Sequence, residues 1–381
     1  MSNLFNGVLG QGLSFLLGLI PLILVHEFGH FLMARKTGVW AKEFGIGYPP
    51  RILKLFRWKE TDFTLNWLPI GGFVRMEGES LFEERSAIEE DIPPEELQQK
   101  QEARKHSLYA ASPGNRVLIY LAGPVMNLLL AWALAVLLYL TGVPAYEVVI
   151  DEIVPNSPAA GAEMQVGDVI LAINEQPVEE VEDVSTYIQA SLGQPTTFTV
   201  RRDGETVALS AVPRANPPQG EGSLGILVGG IPKAGELLRY PLGKSLNYGT
   251  RYVLLMGQMT LSAPIMVIRG LIPLEMARPV GIVGISQITQ QSVQESFSAG
   301  AAYPIMNILI LLSLSLAIFN LLPIPPLDGG HILFIIVEKI RRKPLTPAVA
   351  ERIYTVAFMV MLAVFALITA LDIFFPVNLT P

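Results

Sequence analysis

The chain has 381 residues, 51% of them apolar and only 16% charged, with a mean hydropathy of +0.44; this is too apolar for a soluble globular protein and too charged for one lying wholly in a bilayer, so a mixed architecture follows. The net charge is −7 and the basic residues cluster beside apolar spans rather than in a long run, which gives nucleic-acid binding no support. With no cysteine, a disulfide framework and a thiolate zinc site are both excluded, and His and carboxylates must supply any metal ligands.

Leu13 to Ala34 reads LSFLLGLIPLILVHEFGHFLMA, long enough to cross a bilayer. Its apolar core is too long for a signal peptide and no basic segment precedes it, so it is expected to be retained. On a helix, His26 and His30 stand one turn apart on one face, where both imidazoles can ligate one zinc ion while Glu27 beside them accepts a proton from water. HExxH can arise by chance, and a histidine can simply satisfy a hydrogen bond in a helical core. This chain has only four His. An unpaired Asp, Lys or Arg at mid-membrane costs about 2.5 to 3.5 kcal/mol, and a carboxylate beside two imidazoles is similarly hard to excuse. The reaction implied is hydrolysis inside a membrane. A metal transporter is the rival reading, because transporters also place His and carboxylates in membrane helices, but its ligand set needs no catalytic Glu.

Three further apolar segments, Val117 to Leu140, Pro304 to Leu322 and about Ile353 to Phe375, bring the expected spans to four. Arg35, Lys36, Lys42, Arg51, Lys54, Arg57 and Lys59 follow the first span, and Lys339, Arg341, Arg342 and Lys343 follow the third; alternation puts both groups on one side, which the positive-inside rule makes cytoplasmic. Both termini and the segment from Thr141 to about Gly300 are then extracytoplasmic, and HEFGH sits in the membrane nearer the cytoplasmic face. Between the first two spans, Ile52 to Phe56 and Phe63 to Trp67 alternate around Trp58-Lys59-Glu60, followed by an extended segment from Pro69 to Val74; this reads as a β-hairpin with an edge segment, or as an ordinary loop. Glu77 to Lys105, acidic and carrying Pro93-Pro94, reads as a weakly helical cytoplasmic insertion, with His106 solvated.

Beyond the second span come Ser157-Pro158-Ala159-Ala160, Gly167-Asp168-Val169-Ile170, Ile173-Asn174, a helical region around Tyr187, and a hairpin from Thr196 to Val212 turning at Asp203-Gly204. Residues 147–213 resemble a PDZ domain of the bacterial kind, which takes extended peptides, such as a free C-terminus, by strand addition; the alternative is a plug that binds no peptide. Residues 214–300 read as a connector in which Tyr252 to Leu271, interrupted by Gln258, Ser262, Pro264 and Arg269, is expected to be an interfacial helix.

The third span runs into Asn320-Leu321-Leu322-Pro323-Ile324-Pro325-Pro326-Leu327-Asp328-Gly329-Gly330. A zinc hydrolase needs a third protein ligand and an open position for water, and Asp328 is a carboxylate available for it, although alone it could merely cap the helix that follows. Asn320 offers an amide donor for a substrate carbonyl or developing oxyanion. His331 lies one turn past Asp328 and would fill the open position, so it is expected to be structural.

These residues resemble the site-2 protease family of intramembrane zinc metalloproteases, specifically its bacterial RseP-type branch. HEFGH, NLLPIPPLDGG, AGPVMN (Ala122 to Asn127) and PVGIVGIS (Pro279 to Ser286) carry the likeness over nearly the whole chain. The resemblance implies a polytopic α-helical membrane protein with four transmembrane helices, a membrane-reentrant β-loop around Gly45 to Val74 and an extracytoplasmic α+β PDZ domain. It implies a protease half over residues 1–146, with the second half over 301–381. It further implies Zn2+ held by His26, His30 and Asp328, Glu27 as catalytic acid/base, Asn320 assisting the substrate, and a substrate-pairing edge at Gly71, Gly72 and Phe73. Its substrates would be single-span proteins of the bacterial inner membrane, such as anti-sigma factors or remnant signal peptides. An inactive PDZ membrane scaffold remains a third reading.

Overall fold

The apolar N-terminal run winds into one helix, α1 (Gly7–Lys36), longer than the segment expected from hydropathy. It closes on Arg35 and Lys36, cations placed against the partial negative charge of a helix C-terminus. The computed structural model describes residues 7–79, 101–218, 220–273, 279–343 and 345–375. It divides into two units, 1–141 with 240–381, and 142–239.

In the first unit α1 is followed by strands β1 (Ala41–Trp58) and β2 (Thr61–Met76) and helix α2 (Pro113–Thr141). After the second unit come α5 (Leu242–Ile268), α6 (Ile282–Ala299), α7 (Tyr303–Asn320), α8 (Asp328–Arg341) and α9 (Pro347–Phe374). Among the described residues five helices, α1, α2, α5, α7 and α9, are long and apolar enough to cross a membrane. Four of them, α1, α2, α7 and α9, hold the expected spans; the fifth is α5, over the segment expected to be interfacial. It begins ten residues before the stretch singled out in the sequence, spans about 40 Å at 1.5 Å per residue, and lies along α7. Its Tyr252 hydroxyl bonds Asn307 at 3.4 Å, and one turn on, Gly257 faces Leu314. At the far end of α9 the buried Asp372 accepts the Gly284 N–H at 2.9 Å, placing a carboxylate at the N-terminus of α6.

The β1–β2 sheet is folded upon itself. Ala41–Ile46 pairs with Met76–Gly72, Arg51–Trp58 pairs with Asn66–Thr61, and Glu43–Ile46 also faces Asp62–Leu65 in ascending register. Buried Glu43 ties the layers together, accepting from Thr64 (2.8 Å), Arg51 (3.0 Å) and Arg75 (2.9 Å). The sheet packs on α1, α2 and α8 through a core of Phe31, Phe44, Val74, Met76, Ile119 and Ile335. His106 is not merely solvated. Its ring stacks on Trp40 (4.5 Å between centroids) and its Nδ1 meets the Gly38 carbonyl at 2.8 Å. Most of the insertion before it lies outside the described residues.

The second unit is a sheet in the order β7-β6-β4-β3-β8, with β5 paired to β4. Its strands are β3 (Val143–Ile153), β4 (Val169–Ile173), β5 (Gln176–Pro177), β6 (Thr196–Arg202), β7 (Glu205–Ala211) and β8 (Ile226–Leu238), with helices α3 (Pro158–Gly161) and α4 (Val181–Ala190). Ser157 caps α3, accepting the Ala160 N–H. Asp203 and Gly204 turn β6 into β7 with positive φ at both, as a two-residue hairpin requires. Ile150, Ile170, Ile173, Phe198 and Val200 form its core. This is the PDZ arrangement expected, but its boundary at residue 213 is corrected: β8, from the expected connector, pairs with β3 from Val143↔Leu238 to Ile153↔Ile226.

Candidate metal centre

α1 delivers His26 and His30 to one face at i and i+4, and α8 delivers Asp328 at its first position. The turns between α7 and α8 press onto the start of α8 so closely that a Cβ at Gly329 would lie 2.3 Å from the Leu322 carbonyl and one at Gly330 2.6 Å from the Pro325 nitrogen. Asp328 does not cap α8. Its Oδ2 stands 3.1 Å from His26 Nε2 and 3.4 Å from His30 Nε2, and the two imidazole nitrogens are 3.1 Å apart.

Each ligand atom is oriented from behind. His30 Nδ1 donates to the Ile119 carbonyl of α2 at 2.8 Å, so in the neutral ring Nε2 carries its lone pair towards Asp328. His26 Nδ1 meets the Asn127 amide at 3.3 Å, also on α2. Asn127 Oδ1 is buried without a partner, so turning the amide over lets it accept Nδ1–H and frees His26 Nε2 as a ligand. Asp328 Oδ2 is likewise buried without a hydrogen-bond donor. A tetrahedral ion with ligands at about 2.0–2.1 Å spaces them about 3.3–3.4 Å apart, close to the three separations found. The three residues fit zinc, and the ligand atoms lie within 4.8 Å of one another.

Glu27, half-buried beside the cluster, accepts the Val74 N–H of β2 at 3.1 Å. Gly72, on the same strand, lies against Glu27 and Leu24. Gly71 has φ +99 and packs under the Tyr48 ring, which stacks on Phe73 with centroids 6.2 Å apart. Asn320, in contrast, turns back to donate to the Leu316 carbonyl at 2.9 Å and makes no hydrogen bond to the cluster among the described residues. His331 stacks on Tyr120 and bonds the Tyr354 hydroxyl at 2.8 Å. The sequence reading missed the contribution of α2. Ile119 and Asn127 orient the imidazoles, and Gly123 leaves room for them: a Cβ there would lie 2.3 Å from His30 Nε2 and 2.7 Å from His26 Nε2. AGPVMN held the signal, since it brings a glycine and an amide one turn apart.

Two imidazoles and one carboxylate leave the fourth tetrahedral position to water, and with a second carboxylate alongside, this places the protein among metal-dependent hydrolases built on membrane-length helices. The profile of peptidase family M50 matches residues 14–364. Zinc metalloprotease RasP of Geobacillus kaustophilus is 28% identical over 95% of this chain and 97% of its own length; a putative zinc metalloprotease of Clostridium perfringens is 31% identical over 95% and 98%. The chain belongs to peptidase family M50 and is a zinc metalloprotease of the membrane. Among solved structures, the PDZ domain of the SdrC-like protein of Listeria innocua shares 23% identity over 22% of this chain and 92% of that domain, with a TM-score of 0.20.

Proposed function

We propose that this protease hydrolyses peptide bonds within the transmembrane segments of single-span membrane proteins, with His26, His30 and Asp328 as zinc ligands and Glu27 as the catalytic acid/base. The observation that carries the proposal is the position of Glu27. Its carboxylate lies beside the His-His-Asp cluster and accepts a backbone N–H from the strand edge at Val74, so the proton-transfer group and a peptide-pairing surface meet at one point.

A transmembrane helix hides its amides in its own hydrogen bonds and must unwind before cleavage. In a low-dielectric layer each freed amide needs a new partner, and the outward edge of β2 from Gly72 to Met76 offers one by strand addition. Gly71, Gly72 and Phe73 belong to this edge. Zinc, when bound, supplies Lewis acidity, polarising the scissile carbonyl and acidifying water. Substrate pairing at Val74 releases Glu27, whose carboxylate takes a proton from the attacking water and passes it to the departing amine. Asn320 serves the substrate carbonyl after giving up its bond to Leu316.

The tip of the β1–β2 sheet leaves Ile52, Leu53, Leu55, Phe56, Trp67 and Leu68 exposed. Such a surface suits lipid contact and supports a membrane-reentrant loop. The basic residues after α1 and at the end of α8 favour a plasma-membrane orientation with the cluster nearer the cytoplasm and residues 142–239 outside. Transport of the metal has no comparable support, because a transporter has no use for a carboxylate bonded to a strand edge. The test reconstitutes the protein in liposomes with a single-span substrate and maps the products by mass spectrometry. Cuts within the apolar span are expected. Cuts confined to flanking polar segments would overturn the proposal.

A further inference from the structure

The outward edge of β2 ends in a device that the reaction does not require. Phe73 and Arg75 face β1 through Gly45 and Glu43, and Glu77 also points inward, its N–H donating to the Trp40 carbonyl at 2.8 Å. The alternation of a strand therefore turns the N–H and C=O groups of Gly72, Val74 and Met76 outward, about 6.6 Å apart. Val74 N–H is held by Glu27. At Met76 both outward groups are taken by one residue: its N–H donates to Glu79 Oε2 at 3.0 Å, and its carbonyl accepts the Glu79 N–H at 3.3 Å. Glu79 is exposed.

We propose that Glu79 is a specificity-determining residue that closes the substrate-pairing edge at Met76 and, through its exposed carboxylate, selects a basic over an acidic side chain at the substrate position arriving there. This rests on the reading of β2 as the substrate-pairing edge. A peptide strand can displace Glu27 from Val74, because that side chain comes from another element and is needed for proton transfer. It cannot as readily displace Glu79, whose backbone and side chain both hold Met76 in a single turn. The added strand therefore pairs opposite Gly72 and Val74 and stops. Its next residue meets the Glu79 carboxylate, where a cation is attracted and a second carboxylate repelled. An exposed ion pair contributes about 0.2–1 kcal/mol, so exchanging attraction for repulsion changes the rate by about 2- to 30-fold.

The experiment scans one residue, as Lys, Gln or Glu, through each position flanking the scissile bond of a model transmembrane substrate, and measures kcat/KM with the wild-type protein in liposomes. One position should favour Lys over Glu by that factor, and the other positions should not. Glu79→Gln keeps an acceptor for Met76 N–H but removes the charge, so the Lys/Glu ratio at that position should fall towards one; Glu79→Lys should invert it. Glu79→Ala opens the edge, and cleavage should spread by about two residues in the substrate. Raising salt from about 0.05 M to 0.5 M should narrow the wild-type ratio, a test that needs no variant. Equal loss of activity on all substrates in Glu79→Gln, or a ratio that neither the substitution nor salt alters, overturns the assignment. If the wild type cleaves none of the substrates within the membrane, the functional reading itself fails; cleavage with no charge preference refutes only the role of Glu79.

Discussion

Gly123→Ala adds one methyl group to α2 at the point where the helix passes the ligand nitrogens. That Cβ would stand 2.3 Å from His30 Nε2 and 2.7 Å from His26 Nε2, so the nitrogens would have to retreat by 1.1 Å and 0.7 Å to reach the 3.4 Å at which ordinary contact begins. Zinc–ligand distances tolerate only about 0.2 Å of error. His30 cannot give way along its own axis, because Nδ1 is fixed to the Ile119 carbonyl at 2.8 Å. The expected result is a loss of zinc affinity of at least ~100-fold, the upper end of what removing a residue behind a ligand costs. Zinc content after dialysis against a metal-buffered solution, with competition by a chromophoric chelator, measures it; circular dichroism checks that the helices persist. Gly114→Ala is the control, since a Cβ there meets nothing within 4 Å. A Gly123→Ala protein that retains stoichiometric zinc with affinity within tenfold of wild type would refute the reasoning.

Asp328→Ala should lose bound zinc by metal analysis, because its Oδ2 is shared between both imidazoles and caps no helix; retained zinc would remove it from the ligand set. In the PDZ unit, burial pushes the Asp168 carboxyl up, but two hydrogen bonds from Arg202 (2.7 and 2.6 Å) and one from the Gln165 N–H outweigh it and hold the group below the usual carboxylate range. Its stabilising contribution is therefore present above the unfolded value near 3.9 and is lost as pH falls from about 4 through the lower folded value. Asp168→Asn should destabilise the unit by about 1–2 kcal/mol and flatten that acid-side loss, read by calorimetry of the full chain. Deleting residues 142–239 is feasible because Tyr240 N–H bonds the Tyr139 carbonyl at 3.0 Å, so a short Gly/Ser bridge closes the gap. If the unit filters bulky substrates, the deletion should newly permit cleavage of an untrimmed substrate; if it captures a free C-terminus, cleavage of a trimmed one should slow. No change with either substrate would exclude both roles.

The parts of the centre written as side-chain chemistry at helical spacing were legible in the sequence: His26, Glu27, His30 and the broken helix leading to Asp328. What depends on backbone proximity was not. Gly123 matters for the atom it lacks, and Ile119 acts through its carbonyl, so neither residue type announces its part. Asn320 offers a substrate donor by composition, and what composition does not show is that its amide is held by the Leu316 carbonyl of the preceding turn. β8 escaped notice because Gly229-Gly230 and Pro232 interrupt the alternation that marks a strand, and the strand gains its stability from pairing with distant β3. The full length of α5 was hidden because Gln258, Ser262 and Pro264 dilute its apolar character towards its end, while its packed half, with buried Ser245, Gly249 and Val253, lies nearer its start.

In the proposed mechanism one carboxylate, Glu27, acts as acid/base beside a metal that it does not hold. Glu27→Gln, purified and reconstituted with a transmembrane substrate, measures this directly when zinc stoichiometry and cleavage are read on the same sample. Zinc should remain at the wild-type level, since His26, His30 and Asp328 are untouched, and cleavage should fall by at least ~100-fold. Loss of the metal, or cleavage persisting near the wild-type rate, would contradict it.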